Sequence, residues 1–163
     1  MKMALLVLLV VIAISVAAFA AGRKTVADAP VEESEISVAD IPAIFSRLKT
    51  KAAEETFTVF IFSPGGGAFS ADDAINLQFC FEEGSAGFDW VLLGQPNIRD
   101  RKNYEELAAS LGYKTFPKEK NGVHYLRTTD GDLSRLCERV ICDLYGKKKD
   151  SRIGLLTRGI KWP

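Results

Sequence analysis

Gly65-Gly66-Gly67 follows an apolar, β-branched run, Phe57 to Phe62, in the way that phosphate-binding loops follow strands. No Gly-Lys-Ser/Thr comes after the glycines and no helix opens on them, so the P-loop and dinucleotide fingerprints both fail. The glycines read as a strand connection. His124 is the single histidine of the chain. A metal site around it needs carboxylates or thiolates at ligand spacing, and none occurs. As the general base of a small hydrolase it lacks a recognisable nucleophile beside it. Asp130-Gly131-Asp132 matches the start of a calcium loop but not its third acidic position or closing glutamate, and reads as a helix cap. Glu82-Glu83 and Asp72-Asp73 are adjacent pairs, and adjacent residues on a strand face opposite sides. These residues predict no catalytic centre, no metal and no cofactor.

The three cysteines leave more open. Cys137 and Cys142 sit five residues apart on one expected helix, too divergent for a bridge between them. Cys137 falls on its apolar stripe and Cys142 on the outer side, while Cys80 falls on the polar side of a strand. In an oxidising compartment an odd count gives one bridge plus a free thiol, or a bond between two chains. Small buried residues that never oxidise are the plainer reading. Cys80 and Cys142 are the candidate thiols.

The elements that would position these groups follow from periodicity. Ile41, Ile44, Phe45, Leu48 and Ala52 form one stripe of a helix reaching about Glu55, with Asp40 as its N-cap. Phe57–Phe62 is a strand. Ile75–Glu82 alternates as a second strand, and Gly87–Leu93 follows Glu83-Gly84-Ser85 as the other arm of a hairpin. A helix opens at Asn97 or Asp100 and ends at Gly112, the usual position for a glycine past a C-terminus. Tyr113–Lys118 and Val123–Thr128 flank Asn121-Gly122, a strong hairpin signal. Thr129 or Asp130 caps a last helix carrying Leu133, Leu136, Cys137, Val140, Ile141 and Leu144, which Gly146 stops. Ile153 onward is expected as an edge strand or a packed tail. The order α-βββ-α-ββ-α, with short turns between strands, gives an α+β fold with an antiparallel sheet and helices on one face.

Ala4 to Ala21 is uninterruptedly apolar, preceded by Lys2 and followed by Arg23-Lys24. With small residues at Ala18-Phe19-Ala20, residues 1–22 read as a secretory signal peptide. The rival reading is a single-pass anchor formed by residues 4–21, at the short end of what spans a bilayer. The first places the protein in the periplasm or outside the cell, the second at the membrane. Residues 23–40 carry five acids and a proline and read as a solvated linker. Residues 41–163 are then a single domain. Basic and acidic residues number 21 each, and that balance argues against nucleic acid as a partner. The charges are nevertheless segregated, the half before Gly94 acidic and the half after it basic. Lys147-Lys148-Lys149 with Arg152 forms a basic cluster that complements a helix dipole as readily as it reads an anion.

The order of elements from about Ile41 to Gly146 resembles that of type III secretion chaperones and the related YbjN-like proteins. FDWVLLG (Phe88–Gly94), NGVHYLR (Asn121–Arg127) and LCERVICDLYG (Leu136–Gly146) also look like parts of a widespread bacterial family without assigned activity. The resemblance implies a module that binds peptide or protein partners, often as a dimer, without catalytic residues. Secretion chaperones act in the cytosol, and an export signal departs from that pattern.

Two strands are apolar on both sides, which predicts that the sheet face away from the helices is also covered. Phe60, Phe62, Val91 and Leu93 are the expected partner-binding residues on that face, with a second copy, a client or the C-terminal tail as its cover. The sequence thus predicts a non-catalytic, chaperone-like binding module. An envelope inhibitor or immunity-type protein fits it as well, and a small hydrolase using His124 fits it less.

Overall fold

The computed structural model describes residues 29–51, 53–64 and 73–162. In chain order the elements are β1 (Glu32–Ser37), a 3-10 turn (Val38–Asp40), α1 (Ile41–Lys51), β2 (Phe57–Phe62), β3 (Ile75–Glu82) and β4 (Ser85–Val91). Then come α2 (Gln95–Arg99), α3 (Arg101–Ser110), β5 (Phe116–Lys120), β6 (Val123–Thr128), α4 (Leu133–Arg139) running into a π turn (Val140–Leu144), and β7 (Arg152–Arg158). The seven strands form one sheet in the order β1-β7-β2-β3-β4-β6-β5, and every neighbouring pair is antiparallel. The fold is α+β.

Two hairpins follow from turn chemistry. Glu83-Gly84 and Asn121-Gly122 each place two residues in succession at positive φ, 54° and 75° in the first, 52° and 77° in the second. Two left-handed residues match the twist of the flanking strands, which is why Asn-Gly marks such turns.

One sheet face carries the main core. Phe60, Phe62, Ile75, Leu77, Phe79, Phe88, Trp90, Leu126 and Leu155 point into it, and α1, α3, α4 and the π turn supply Ile44, Leu48, Tyr104, Ala108, Leu136 and Ile141 from above. Trp90 stacks on Tyr104 with ring centres 4.6 Å apart, and its indole N–H donates to the Asn97 carbonyl at 2.9 Å. The Asn97 side chain stands in for a missing strand residue beside β3. Its oxygen accepts from the Asn76 N–H at 3.1 Å and its amide donates to the Asn76 carbonyl at 2.8 Å. Two buried backbone groups past the end of the β3–β4 ladder are thereby satisfied.

The structure corrects four local expectations. Residues 32–37, expected within the linker, form β1, because β7 offers it a ladder and Ile36 a place in the core. The segment after Ile153 is neither an edge strand nor a tail: β7 lies inside the sheet, between β1 and β2. Asp40 does not cap α1. It follows Ser37 by three residues, and its carboxylate accepts from the Ser37 N–H at 2.9 Å and hydroxyl at 2.8 Å, bracing the 3-10 turn. Asp132, rather than Thr129 or Asp130, caps α4 by accepting from the Arg135 N–H at 3.0 Å. The expected signal peptide or anchor and the Gly65–Gly67 connection lie outside the described residues.

Candidate functional site: the helix-free sheet face

Side chains alternate along each strand, so the residues between those of the main core point to the opposite face. Among the described residues no helix packs there. Phe57, Val59 and Ile61 from β2, Cys80 from β3 and Leu156 from β7 form an apolar half, against which Ala74 and Val31 lie. The other half is charged. It is built by β3, β4, β6 and β5, whose register brings Glu82, Asp89, Tyr125, Arg127 and Lys120 together.

Arg127 is the centre of this half. One terminal nitrogen donates to both Asp89 carboxylate oxygens at 2.8 Å and lies 3.5 Å from Glu82. The other donates to the Cys80 and Ser85 carbonyls, each at 3.3 Å. Glu82 also accepts from Lys120 at 2.6 Å and from the Tyr125 hydroxyl at 3.1 Å. Two carboxylates are thus matched by two cations, the arrangement a buried charge requires. Arg127 can lie flat on the sheet because the residue beneath its guanidinium is Gly87.

Burial sets the protonation behaviour of the cluster. It pushes the Asp89 carboxyl up to about 7, with Arg127 pulling the other way. Glu82 is partly desolvated too, but Lys120 and Arg127 hold it below the usual carboxylate range. The Cys80 thiol is pushed up to about 12 by burial, reinforced by the charges of Asp89 and Glu82. A thiol held protonated in this way is a poor nucleophile. The hollow lined by Gln78, Glu82, Asp89, Val91 and Tyr125 has no room for a water-sized guest.

The expected site residues divide. Phe60 and Phe62 sit in the helix-covered core and not on the docking face, because the parity of β2 turns Phe57, Val59 and Ile61 outward instead. Val91 does lie on the helix-free face, against the charged cluster. Leu93 follows the end of β4 and is half-buried. Cys80 is buried on the helix-free face, Cys142 is half-buried in the π turn and Cys137 is buried in the core; all three are free thiols. His124 is exposed on β6, 3.5 Å from Glu119. Asp130 does not join a calcium loop, and among the described residues no group of three or more metal-ligating side chains gathers. Lys149 and Arg152 of the basic cluster lie 3.6 Å from Glu138 and 3.9 Å from Glu35.

Sequence reading missed Asp89, Arg127 and Tyr125. An aspartate between Phe88 and Trp90 and an arginine following Tyr125-Leu126, both inside strands, were the available signal. Buried charges in strands call for partners across the sheet.

Both sheet edges carry features that hinder an added strand. The Leu92 N–H donates to the His124 carbonyl at 2.9 Å, so the antiparallel alternation turns Pro117 and Glu119 of β5 outward. Pro117 has no N–H to offer there. On β1 the Ser37 N–H is taken by Asp40 and the Glu35 carbonyl accepts from Arg152 at 3.0 Å.

Away from the sheet, an open groove of about 530 Å³ runs between α1 and the loop before α4, lined by Pro42, Phe45, Ser46, Lys49, Thr50, Gly131 and Asp132. Phe45 forms its floor with Lys49 Nζ 5.7 Å from the ring centre. Burial keeps Phe45 at 7% exposure, whereas Pro42, Ser46, Lys49 and Thr50 are exposed.

Comparison of the chain with known protein families, with curated proteins and with solved structures gives no match.

Proposed function

We propose that this protein is a non-catalytic protein- or peptide-binding module of the chaperone-like kind, exported to or held at the cell envelope. The observation that carries the reading is the α1–α4 groove. It has the volume of a binding cleft, an apolar floor in Phe45 and Pro42, and a cation and an anion, Lys49 and Asp132, on its walls. Apolar floors with a few charged walls suit side chains of a partner segment. The blunted sheet edges fit the same assignment, since they make strand addition the poorer mode. The placement at the envelope rests on the apolar run from Ala4 to Ala21; among the described residues no helix is long and apolar enough to cross a membrane.

The test is suppression of aggregation of a reduced, unfolded model protein by the full chain. A dose-dependent delay that Pro42→Glu and Ser46→Glu weaken severalfold is the expected result. Both residues are exposed, so the fold tolerates the changes. No delay, or a delay indifferent to both substitutions, overturns the reading.

A further inference from the structure

Three features meet where β2 begins and β7 ends. Arg158 is 7% exposed, and its Nε is buried without a hydrogen-bond partner. Its guanidinium lies 5.1 Å from the centre of the Phe57 ring, directly across the β2–β7 ladder. Two residues before Phe57, Glu55 sits at φ 69°, the left-handed region that a side chain other than glycine seldom adopts. The Glu55 N–H donates to the Phe81 carbonyl at 3.1 Å, so the sheet holds this conformation in place. Glu55 Oε2 is buried and, like Arg158 Nε, hydrogen-bonded to nothing.

Burial lowers the affinity of Arg158 for its proton, and the charge of Glu55 acts against that. The two side chains therefore feel each other, yet form no ion pair. A buried charged donor and a buried charged acceptor without partners are each unfavourable. Strained backbone and orphaned polar atoms at one spot are the usual mark of a place kept for a ligand. Glu55 as a whole is half-exposed, so the spot lies next to solvent.

We propose that Arg158 and Glu55, on the wall formed by the Phe57 ring, bind a small zwitterion of the α-amino acid type, its carboxylate on Arg158 and its ammonium on Glu55. A guanidinium presents paired donors that match a carboxylate, and an ammonium group supplies the donor that Glu55 Oε2 lacks. A simple anion is repelled by Glu55 and a simple cation by Arg158. Only a molecule with both charges a few bonds apart satisfies both. The site lies at the sheet and not in the α1–α4 groove, and it stands independently of the peptide-binding reading.

The experiment is a thermal-shift and calorimetric screen of the full chain against the free L-amino acids at millimolar concentration. At least one amino acid is expected to raise the melting temperature, while its N-acetyl and methyl-ester forms do not. Arg158→Gln and Glu55→Gln are each expected to weaken binding at least tenfold; Arg158→Lys, which keeps the charge on a similar stem, controls for folding by retaining circular dichroism and part of the affinity. Absence of binding by every amino acid overturns the proposal, as does equal binding of the blocked forms or unchanged binding by the two glutamine variants.

Discussion

The guanidinium of Arg127 rests on the bare backbone of Gly87. A Cβ added at Gly87 would stand 2.5 Å from Arg127 Cζ and 2.7 Å from one of its terminal nitrogens. Gly87 is therefore there for closeness and not for turn geometry. The guanidinium could swing away, but only by giving up Asp89.

Gly87→Ala is accordingly expected to cost about 1–3 kcal/mol, up to the penalty for leaving a buried carboxylate without its partner. Arg127→Met removes the group that alanine would displace. In that background Gly87→Ala should cost less than about 0.5 kcal/mol. Urea denaturation of the four proteins of this cycle measures the coupling. Equal cost of Gly87→Ala in both backgrounds would show that the glycine serves something other than Arg127.

Asp89 gives stability a dependence on pH of unusual sign for a carboxylate. Its folded value is raised from 3.8 to about 7, so the folded chain keeps a proton that the unfolded chain releases. Stability from this group is fully present below about pH 4 and falls as pH rises towards 7. Glu82 acts oppositely: its folded value lies below 4.5, so its contribution is present above that pH and is lost as acid protonates it. Urea midpoints of the wild type should drop between pH 5 and pH 8, by a free energy of at most about 3 kcal/mol. Asp89→Asn should flatten that slope. A wild-type midpoint that rises over the same interval contradicts the assignment.

Thiol reactivity should follow burial. Cys142 is half-buried, whereas Cys80 and Cys137 are buried; burial raises all three thiols, Cys80 to about 12 and Cys137 well above its ordinary value, while Cys142 alone stays within reach of a reagent. Thiolate is the reactive form. Native protein titrated with a disulfide reagent at pH 8 should show one fast thiol, lost in Cys142→Ser, and all three only after denaturation. A fast phase that survives Cys142→Ser would move the reactive thiol elsewhere.

The sequence made local chemistry visible and left long-range pairing hidden. Asn121-Gly122 and Glu83-Gly84 announce their hairpins because a two-residue turn is decided by its own residues. The helix stripes of Ile41–Leu48 and Leu133–Ile141 are visible because one face must be apolar. β1 was hidden because Glu32, Glu33 and Glu35 look solvated, and only a partner 115 to 125 positions away, β7, makes the segment a strand. Phe60 and Phe62 were assigned to the wrong face for a related reason. β2 is apolar on both sides, and only the packing of α1 and α4 decides which side is the core. The Asp89–Arg127 pair joins strands that are neighbours in space but separated in sequence by two helices and β5, so spacing alone does not reveal it.

The position of β7 determines when this protein can be complete. Among the described residues β1 pairs with β7 alone, and β2 has β7 as one of its two neighbours. Until residue 158 is available, the nascent chain carries a first strand without a partner and a second with an open apolar edge. Sheets closed by contacts this distant in sequence form slowly. Among the described strands the last one made, β7, is the one that joins β1 to the rest, so the sheet closes only once residue 158 is present.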